Sequence, residues 1–301
     1  MYSKKEILIA LSSYFLWGVL PIYWKQIAHV APMEILAHRI LWSMCFLIII
    51  IWLSKRMRAF LVDVWLTFRK SEKWFSLIWS AFFLNVNWLT YIWAVNNDHI
   101  LQTSMGYYIN PLLSVFLGLI VLREKLTTSL WIAFLIVLIG VGLLIYRTGV
   151  FPWVSIILAG SFAMYGLMKK MNPLSSVHSL TLETMISSIP ALIYIVFLSL
   201  SGGSAFFQPL SISLPTQLFL IGGGVVTAIP LILFSIGAKK LPLYLIGFFQ
   251  YLAPTITLIV GVYIYNEVFT VNHLLSFGLI WTGLIVFTLS MVLGYRRYTS
   301  V

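Results

Sequence analysis

The stretch YINPLLSVFLGLIVLREKLTTSLWIAFLIVLIG, residues 108–140, decides the fold because a second stretch of the chain follows the same pattern. Residues 251–283 read YLAPTITLIVGVYIYNEVFTVNHLLSFGLIWTG, and the two align without a gap at a constant shift of 143. Apolar composition alone aligns Ile, Leu and Val, but it does not align Tyr, Pro, Glu and Thr in one register. The chain is therefore predicted to contain an internal repeat. The matching positions are Tyr108/Tyr251, Pro111/Pro254, Gly118/Gly261, Glu124/Glu267, Thr127/Thr270, Phe134/Phe277 and Gly140/Gly283.

Long apolar runs surround both stretches. A helix that spans a bilayer needs about 20 predominantly apolar residues, whereas a barrel strand needs only about 10 alternating ones. The runs have the helical length, so we predict an all-α integral membrane protein with ten transmembrane helices. The predicted spans are 6–27, 33–54, 74–95, 100–122, 129–146, 152–168, 178–200, 214–238, 241–265 and 272–294.

The composition excludes other protein classes. Only 9% of the 301 residues are charged and 61% are apolar, whereas a soluble domain carries roughly 25% charged residues. A soluble enzyme and a disordered chain are both incompatible with these fractions.

The net charge of +11 is explained by topology. Lys and Arg concentrate in cytoplasmic loops, and sixteen of the 19 fall on one side when the N-terminus is placed inside. Both termini are thus predicted to be cytoplasmic. Nucleic acid is not an expected partner, because only the 55–73 loop has several basic residues and Asp63 and Glu72 interrupt it. The sixteen are Lys4, Lys5, Lys55, Arg56, Arg58, Arg69, Lys70, Lys73, Arg123, Lys125, Lys169, Lys170, Lys239, Lys240, Arg296 and Arg297.

Two halves of five helices each, residues 1–148 and 149–301, follow from the repeat. Five is an odd number, so the halves are predicted to lie inverted in the membrane. Inverted repeats are typical of secondary transporters, whose substrate site lies near the membrane midplane. Pro111 and Pro254 occupy matching positions inside spans and remove amide donors, which suits gating. General tolerance of proline in membrane helices is the alternative.

Ionisable residues inside a membrane are functional candidates, and the second span carries three. Glu34 and His38 are four residues apart and share a helix face with Trp42. Glu34 is expected near the outer interface. Arg39 cannot readily lose its charge, so it needs an anion from the protein or from a substrate. His38, Arg39 and Trp42 are therefore predicted to bind substrate.

Glu183 is the one acid predicted to lie well inside the second half. Burial favours the protonated form of a carboxylate, which suits proton coupling. A structural ion pair with Lys169 or Lys170 is an equally weighted alternative. Glu124 and Glu267 end their helices and are predicted to hold neighbouring helix ends.

Polar and aromatic residues in several spans are predicted to line the substrate path. Aromatic faces stack on flat ligands or attract cations, and amides bind polar groups. Hydrogen bonding between helices is the competing use of Asn and Gln. The predicted residues are Trp17, Asn85, Trp88, Tyr91, Tyr107, Tyr108, Asn110, Gln250 and Tyr251.

Catalytic and cofactor motifs are missing from the sequence. It has no G-x-x-x-x-G-K-[ST] phosphate loop, no H-E-x-x-H and no G-x-S-x-G. Cys45 is the single cysteine, so there is no zinc pattern. We therefore expect no enzyme activity, no catalytic residues, no metal and no cofactor.

Five longer strings carry a family resemblance: SYFLWGVLPIYWK (13–25), EILAHRILWS (34–43), NWLTYIWAVNN (87–97), GYYINPL (106–112) and GFFQYLAPT (247–255). Together with the repeat, they resemble the EamA repeat of the drug/metabolite transporter superfamily, and its RarD-like branch in particular. The resemblance implies a permease of the bacterial cytoplasmic (inner) membrane with two inverted five-helix repeats. Members of this superfamily export amino acids and other metabolites or carry nucleotide sugars.

The sequence thus predicts a secondary transporter of small metabolites or drugs, exporting amino-acid-like compounds by alternating access. The alternative is an intramembrane lipid-processing enzyme or a lipid-moving protein, which would need acids or a Ser/His/acid group converging at one depth. The expected partners are a small-molecule substrate and membrane lipids, with protons as candidate coupling ions. A monomer and a homodimer are both compatible with the sequence.

Overall fold

A computed structural model describes residues 3–69, 71–97, 99–149, 151–207, 214–266 and 271–299. Every regular element in these ranges is a helix, as predicted for an all-α membrane protein. The helices are α1 (Lys4–Lys25), α2 (Pro32–Leu53), α3 (Met57–Arg69), α4 (Ser71–Asn96), α5 (Ile100–Ile120), α6 (Thr128–Thr148), α7 (Trp153–Met171), α8 (Ser176–Leu200), α9 (Leu214–Lys240), α10 (Leu243–Gln250), α11 (Leu252–Ile264) and α12 (Val271–Thr299).

Nine segments of the described ranges are long and apolar enough to cross a membrane, and they match nine of the ten predicted spans. The remaining predicted span, 152–168, corresponds to α7. This helix has 19 residues and carries Lys169 and Lys170 in its last turn. It packs against α4, α5 and α9. Because protein surrounds much of α7, it needs less apolar surface than a helix that faces lipid.

The structure differs from the sequence prediction at two places. Residues 55–73, expected to form a loop, contain the helix α3. The predicted span 241–265 is interrupted at Tyr251, between α10 and α11. Pro254 explains the interruption, since it has no amide hydrogen to donate to the carbonyl of Gln250. Pro111 lies within α5 without ending that helix.

The helices pack so that apolar side chains cover the outside and polar ones point inward. α2 packs against α8 and α9, α5 packs against α7 and α10, and α6 packs against α12. On the outer pair, Ile139 and Ile285 are each about three-fifths exposed. In contrast, Glu34, Lys169 and Glu183 are buried. This arrangement is the one expected of a protein whose solvent is lipid.

One close approach of two helices positions the polar part of α2. A Cβ added to Gly224 on α9 would lie 2.3 Å from the backbone carbon of Trp42. The hydroxyl of Ser43 donates a hydrogen bond to the carbonyl of Gly224 at 2.9 Å. The glycine therefore lets the two backbones touch, and it places the Trp42 turn of α2 in the protein interior.

Candidate functional site

One turn of α2 brings His38, Arg39 and Trp42 together. The guanidinium carbon of Arg39 lies 5.0 Å from the centroid of the Trp88 ring and 5.5 Å from that of Trp24. Two aromatic faces thus hold the cation by cation–π attraction. Trp88 on α4 was among the predicted path residues, whereas Trp24 on α1 was not.

The same turn contains three buried nitrogen atoms without a hydrogen-bond partner. They are Nε2 of His38, Nε of Arg39 and Nε1 of Trp42. Buried polar atoms in proteins almost always have a partner. None of the ion pairs found within the described residues includes Arg39. Within the described residues, Arg39 is thus a partly buried cation without an ion-pair partner.

A polar stripe on α5 includes Tyr107, which lies near Arg39. Its members are Ser104, Tyr107, Asn110 and Ser114, spaced three or four residues apart and therefore on one side of the helix. Tyr107 is 53% exposed, and Arg39 interacts electrostatically with it. Ser104 and Tyr107 are exposed, whereas Asn110 is partly buried and Ser114 is buried. We call the region between Arg39 and Tyr107 the central cavity.

Tyr91 on α4 joins Arg39 and Tyr107 at the central cavity. Its side chain is partly buried and interacts electrostatically with both of them. Three predicted path residues from α2, α4 and α5 therefore meet at one place. Sequence spacing could not show this, because the three residues belong to different helices.

The short segment 201–207, which we call the Phe206 loop, covers one end of the α2 turn. The Phe206 ring lies 4.6 Å from the His38 ring and 6.4 Å from the Trp42 ring, measured between centroids. Glu34 holds this loop, accepting hydrogen bonds from the Ser204 hydroxyl at 2.9 Å and from the amide of Phe206 at 3.1 Å. The amide of Ala205 makes a third such bond at 3.1 Å.

Glu34, in the first turn of α2, is 1% exposed and is therefore enclosed by protein. Its carboxylate is 3.9 Å from Nε2 of His38. The signal in the sequence was its spacing of four from His38, but its loop partners lie 170 or more residues away along the chain. Glu34 thus stabilises the contact between the Phe206 loop and the polar turn of α2.

Glu183 lies in a second, fully buried polar group. Nζ of Lys169 is 2.9 Å and 3.1 Å from its two carboxylate oxygens. Ser179 donates to Glu183 at 2.8 Å and Tyr165 donates to it at 3.3 Å. Of the two alternatives left open by the sequence, the structure contains the ion pair, and its partner is Lys169. Proton coupling through Glu183 stays a prediction.

Glu124 holds the beginning of α10. Its carboxylate accepts hydrogen bonds from the amides of Leu243 at 2.7 Å and Tyr244 at 2.9 Å. These amides have no partner within their own helix, and a carboxylate at a helix N-terminus is electrostatically favourable. Lys170 lies 3.8 Å away. The predicted role of Glu124 in holding a neighbouring helix end is therefore present, whereas Glu267 lies outside the described residues.

Tyrosines connect the middle of the two similar stretches. The Tyr251 hydroxyl donates to the carbonyl of Tyr108 at 2.9 Å, and the Tyr108 hydroxyl donates to the carbonyl of Pro254 at 3.4 Å. Both tyrosines are buried. These residues join α5 to the interruption between α10 and α11, so they lie beside the central cavity's polar stripe rather than on it.

The predicted Gln250 also belongs to this junction. Its side-chain oxygen accepts a hydrogen bond from the Ser114 hydroxyl at 3.3 Å. The same hydroxyl is 3.5 Å from the side-chain oxygen of Asn110. The inner end of the polar stripe on α5 is therefore connected to α10. The carbonyl of Pro111 packs closely against Gly247 of α10. A Cβ added to this glycine would lie 2.7 Å from the carbonyl oxygen.

Two other predicted residues are placed outside the group around Arg39. The amide of Asn85 donates to Ser187 and to the carbonyl of Ala81, each at 2.7 Å, and so joins α4 to α8. Trp17 packs against the rings of Phe162 and Phe234 at 5.6 Å and 5.7 Å. Asn85 thus makes the interhelical contact that was its alternative use, and Trp17 belongs to an aromatic cluster.

Comparison with known proteins assigns the chain to a family. The sequence pattern of the EamA-like transporter family matches residues 4–146. The chain is 40% identical to "Uncharacterized transporter YojE" of Bacillus subtilis (strain 168) over 299 residues, covering 99% of this chain and 98% of that protein. It is also 36% identical to "Protein RarD" of Escherichia coli (strain K12), over 98% of this chain and 97% of that one.

This chain belongs to the EamA-like transporter family.

A further sequence relative and a solved structure agree with this assignment. "Uncharacterized transporter PA0485" of Pseudomonas aeruginosa is 33% identical over 98% of this chain and 96% of its own length. A protein solved by crystallography has the same fold, with a TM-score of 0.71 at 18% identity, covering 95% of this chain and 98% of that one. The predicted RarD-like resemblance is confirmed by the sequence relatives.

Family membership indicates the class of protein to which the site belongs. An EamA-like protein with nine apolar helices in its described part is a multi-pass membrane transporter, and the family points away from enzymatic activity. The buried acids are also engaged separately. Glu34 binds the Phe206 loop, while Glu183 binds Lys169 and Ser179. In this EamA-like transporter, the buried acids therefore belong to two separate groups of residues.

Proposed function

We propose that this EamA-like protein is a secondary transporter that exports amino-acid-like metabolites by alternating access. The substrate carboxylate binds Arg39 in the central cavity. His38 and Trp42 supply further hydrogen-bond donors from the same turn, and the rings of Trp88 and Tyr91 contact the apolar part of the substrate.

The observation that carries this proposal is the missing anion at Arg39. A guanidinium group matches a carboxylate in shape and charge, and the resulting hydrogen bonds are among the strongest in proteins. Within the described residues, no carboxylate forms an ion pair with Arg39. A substrate that brings its own carboxylate would therefore complete the site. Its ammonium group would donate a hydrogen bond to the hydroxyl oxygen of Tyr107.

Alternating access is supported by two separate closures. The Phe206 loop, held by Glu34, covers one end of the α2 turn. Glu124, shortly after the end of α5, holds the first amides of α10. We propose that residues 1–148 and 149–301 are inverted repeats, and that opening one closure while keeping the other exposes the cavity to one side at a time. Pro111 and Pro254 are the proposed gating positions.

The proposed location is the bacterial inner membrane with both termini in the cytoplasm. The sixteen basic residues on one side support this orientation. Protons remain the proposed coupling ions, with Glu183 as their site.

Transport by purified protein in liposomes tests the proposal. A panel of labelled amino acids would be offered with and without a pH gradient, for both membrane orientations. We expect uptake or release of at least one amino acid. An Arg39→Gln variant should weaken its apparent affinity roughly 10- to 100-fold, because a hydrogen bond to a charged group contributes about 1.5–3 kcal/mol. Failure to move any small metabolite under either condition would contradict the proposal.

Matched variants separate the role of Arg39 from a general effect of charge. Lys25→Gln removes a cation that also lies over an aromatic ring, that of Tyr265, but at an exposed helix end. This variant should transport normally. Arg39→Lys keeps the charge without the planar fork, so it should retain only part of the affinity. Equal losses in the Lys25 and Arg39 variants would argue against a binding role.

A further inference from the structure

The helix α3 has a face that neither the fold nor the transport path uses. α2 ends at Leu53, and the backbone then reverses direction at Lys55, whose φ of 56° is left-handed. The amide of Arg56 donates to the carbonyl of Ile51 at 3.0 Å, which closes the end of α2. α3 therefore begins directly where the apolar span α2 finishes, at the edge of the hydrocarbon.

Contacts on one face of α3 fix its orientation. Phe60 is buried in a cluster with Leu174 and Leu182, which places this face against the segment before α8 and against α8 itself. The carboxylate of Asp63 lies 2.6 Å from Nδ1 of His178, at the beginning of α8. α3 thus cannot rotate freely, and its opposite face points away from the protein.

The opposite face combines apolar, aromatic and basic side chains. Leu61, Val62 and Trp65 are each about half exposed. Arg58 and Arg69 are exposed at the two ends of this face, and the guanidinium carbon of Arg69 lies 4.2 Å from the centroid of the Trp65 ring. A helix facing water would not expose three large apolar residues, and a helix within hydrocarbon would not carry arginine at both ends.

This composition is typical of a helix that lies in the plane of a membrane interface. Apolar residues of such a helix enter the acyl region, and its cations bind phosphate groups of lipids. Lys55 and Arg56 add two exposed positive charges just before the helix. Trp52, in the last turn of α2, is exposed at the same level and is suited to anchor the interface. The charge complementarity is with anionic lipid headgroups.

We propose that α3 is an interfacial helix that binds anionic phospholipid headgroups through Arg58 and Arg69, with Leu61, Val62 and Trp65 inserted among the acyl chains. Through Asp63 and His178, α3 is attached to the beginning of α8. The lipid-binding surface is therefore connected to a helix that carries Glu183. This inference does not depend on which substrate the protein transports.

A fluorescent probe on α3 tests the proposal directly. Cys45 is the only cysteine, so a Cys45→Ala, Val62→Cys variant can carry one environment-sensitive label. The labelled protein would be placed in vesicles of phosphatidylcholine alone or of an equal mixture with phosphatidylglycerol. We expect the mixture to shift the emission to the blue, to protect the label from acrylamide, a neutral aqueous quencher, and to expose it to a quencher attached to lipid chains.

Charge variants identify the headgroup contact. Arg58→Gln with Arg69→Gln should shift the equilibrium between inserted and detached α3 by about fivefold for each arginine removed, so that the two kinds of vesicle give similar signals. Lys125→Gln with Lys240→Gln removes the same charge at exposed sites outside α3 and should change little. In the labelled protein without charge substitutions, high salt should reverse the effect of phosphatidylglycerol. This measurement does not depend on whether the arginine variants fold.

Two results would overturn the proposal. One is equal acrylamide quenching in both kinds of vesicle, which would mean that the face binds no anionic lipid and remains available to a soluble partner. The other is an equal response of the α3 and control charge variants. Because the readout is a label on α3, neither result depends on whether transport is detected.

Discussion

The hydroxyl of Tyr251 donates a hydrogen bond to the backbone carbonyl of Tyr108 at 2.9 Å, and these two tyrosines occupy the same position in the two similar stretches of the chain. The second bond is not the symmetric equivalent of the first. The Tyr108 hydroxyl donates to the carbonyl of Pro254 at 3.4 Å, not to the carbonyl of Tyr251. Equivalent residues therefore have different partners in this conformation. A carrier built from two similar halves needs such a difference if it is to have two distinct states.

Replacing Tyr251 by phenylalanine should destabilise the protein modestly. The substitution removes a buried hydrogen bond that contributes about 0.5–1.5 kcal/mol, and it retains the ring. Tyr108→Phe should have a smaller effect, since its bond is longer. Thermal unfolding in detergent measures both. Tyr146→Phe is the control, because Tyr146 is 83% exposed and should tolerate the change. A larger loss for Tyr146 than for Tyr251 would be inconsistent with the geometry.

Neutralising Glu34 should loosen the Phe206 loop. Glu34→Gln replaces charge-assisted bonds to two amides and a hydroxyl by weaker or missing ones. Hydrogen–deuterium exchange at the amides of Ala205 and Phe206 should accelerate roughly 10- to 100-fold, because a hydrogen bond to a charged group contributes about 1.5–3 kcal/mol to the stability of the closed loop. Glu6→Gln, a change at a partly exposed acid of α1, should leave this exchange unchanged. Slow exchange in the Glu34 variant would show that other contacts hold the loop.

Removing Glu183 should have two effects that can be separated. Glu183→Gln leaves Lys169 buried without its counter-charge, and breaking such a pair costs about 3–5 kcal/mol. The predicted proton coupling implies that the same variant also loses its response to a pH gradient while exchange of substrate continues. Thermal unfolding and transport with and without the gradient measure the two effects.

A double variant distinguishes the structural role of Glu183 from coupling. Lys169→Met with Glu183→Leu removes both charges, and apolar replacements of a buried pair are often neutral or stabilising. We expect the double variant to recover stability and to remain insensitive to the pH gradient. Recovery of both properties would mean that Glu183 serves the ion pair alone.

Gly224→Ala should separate α2 from α9. The added methyl group would lie 2.3 Å from a backbone carbon of Trp42 and 2.5 Å from the amide nitrogen of Ser43, neither of which can move as a side chain does. Overpacking of this kind costs about 1–3 kcal/mol, and it should also displace Arg39 and weaken substrate binding. Gly142→Ala is the control, because nothing lies within 4 Å of its added Cβ. Thermal unfolding and binding assays would compare the two variants, and equal stability would argue against the close approach.

The spans could be predicted from the sequence because apolar length is a local property. The exceptions have physical reasons. The sequence predicts a loop at 55–73, because the arginines and Asp63 of α3 obscure an apolar face that is apparent only once the helix is oriented. The interruption at Tyr251 depends on how one proline is accommodated, and Pro111 shows that proline does not always end a helix.

Residue types in the site could be predicted, but their partners could not. Arg39, Tyr91 and Tyr107 were chosen for their chemistry, and the structure brings them together at the central cavity. The use of Asn85 in an interhelical bond depends on Ser187, which is 102 residues away in the chain. The partners of Glu34 are separated from it by an even longer distance in sequence. Such contacts are determined by helix packing.

The unpaired guanidinium of Arg39 also has an electrical consequence. Arginine keeps its charge at any physiological pH, so the proposed carrier holds a positive charge in the α2 turn when it is empty, and an amino acid with one carboxylate and one ammonium group adds no net charge when it binds. Moving a unit charge through a potential of 100 mV involves about 2.3 kcal/mol. The membrane voltage should therefore act alike on the empty and the loaded carrier, whereas a substrate with a carboxylate and no ammonium group would make the loaded step insensitive to voltage.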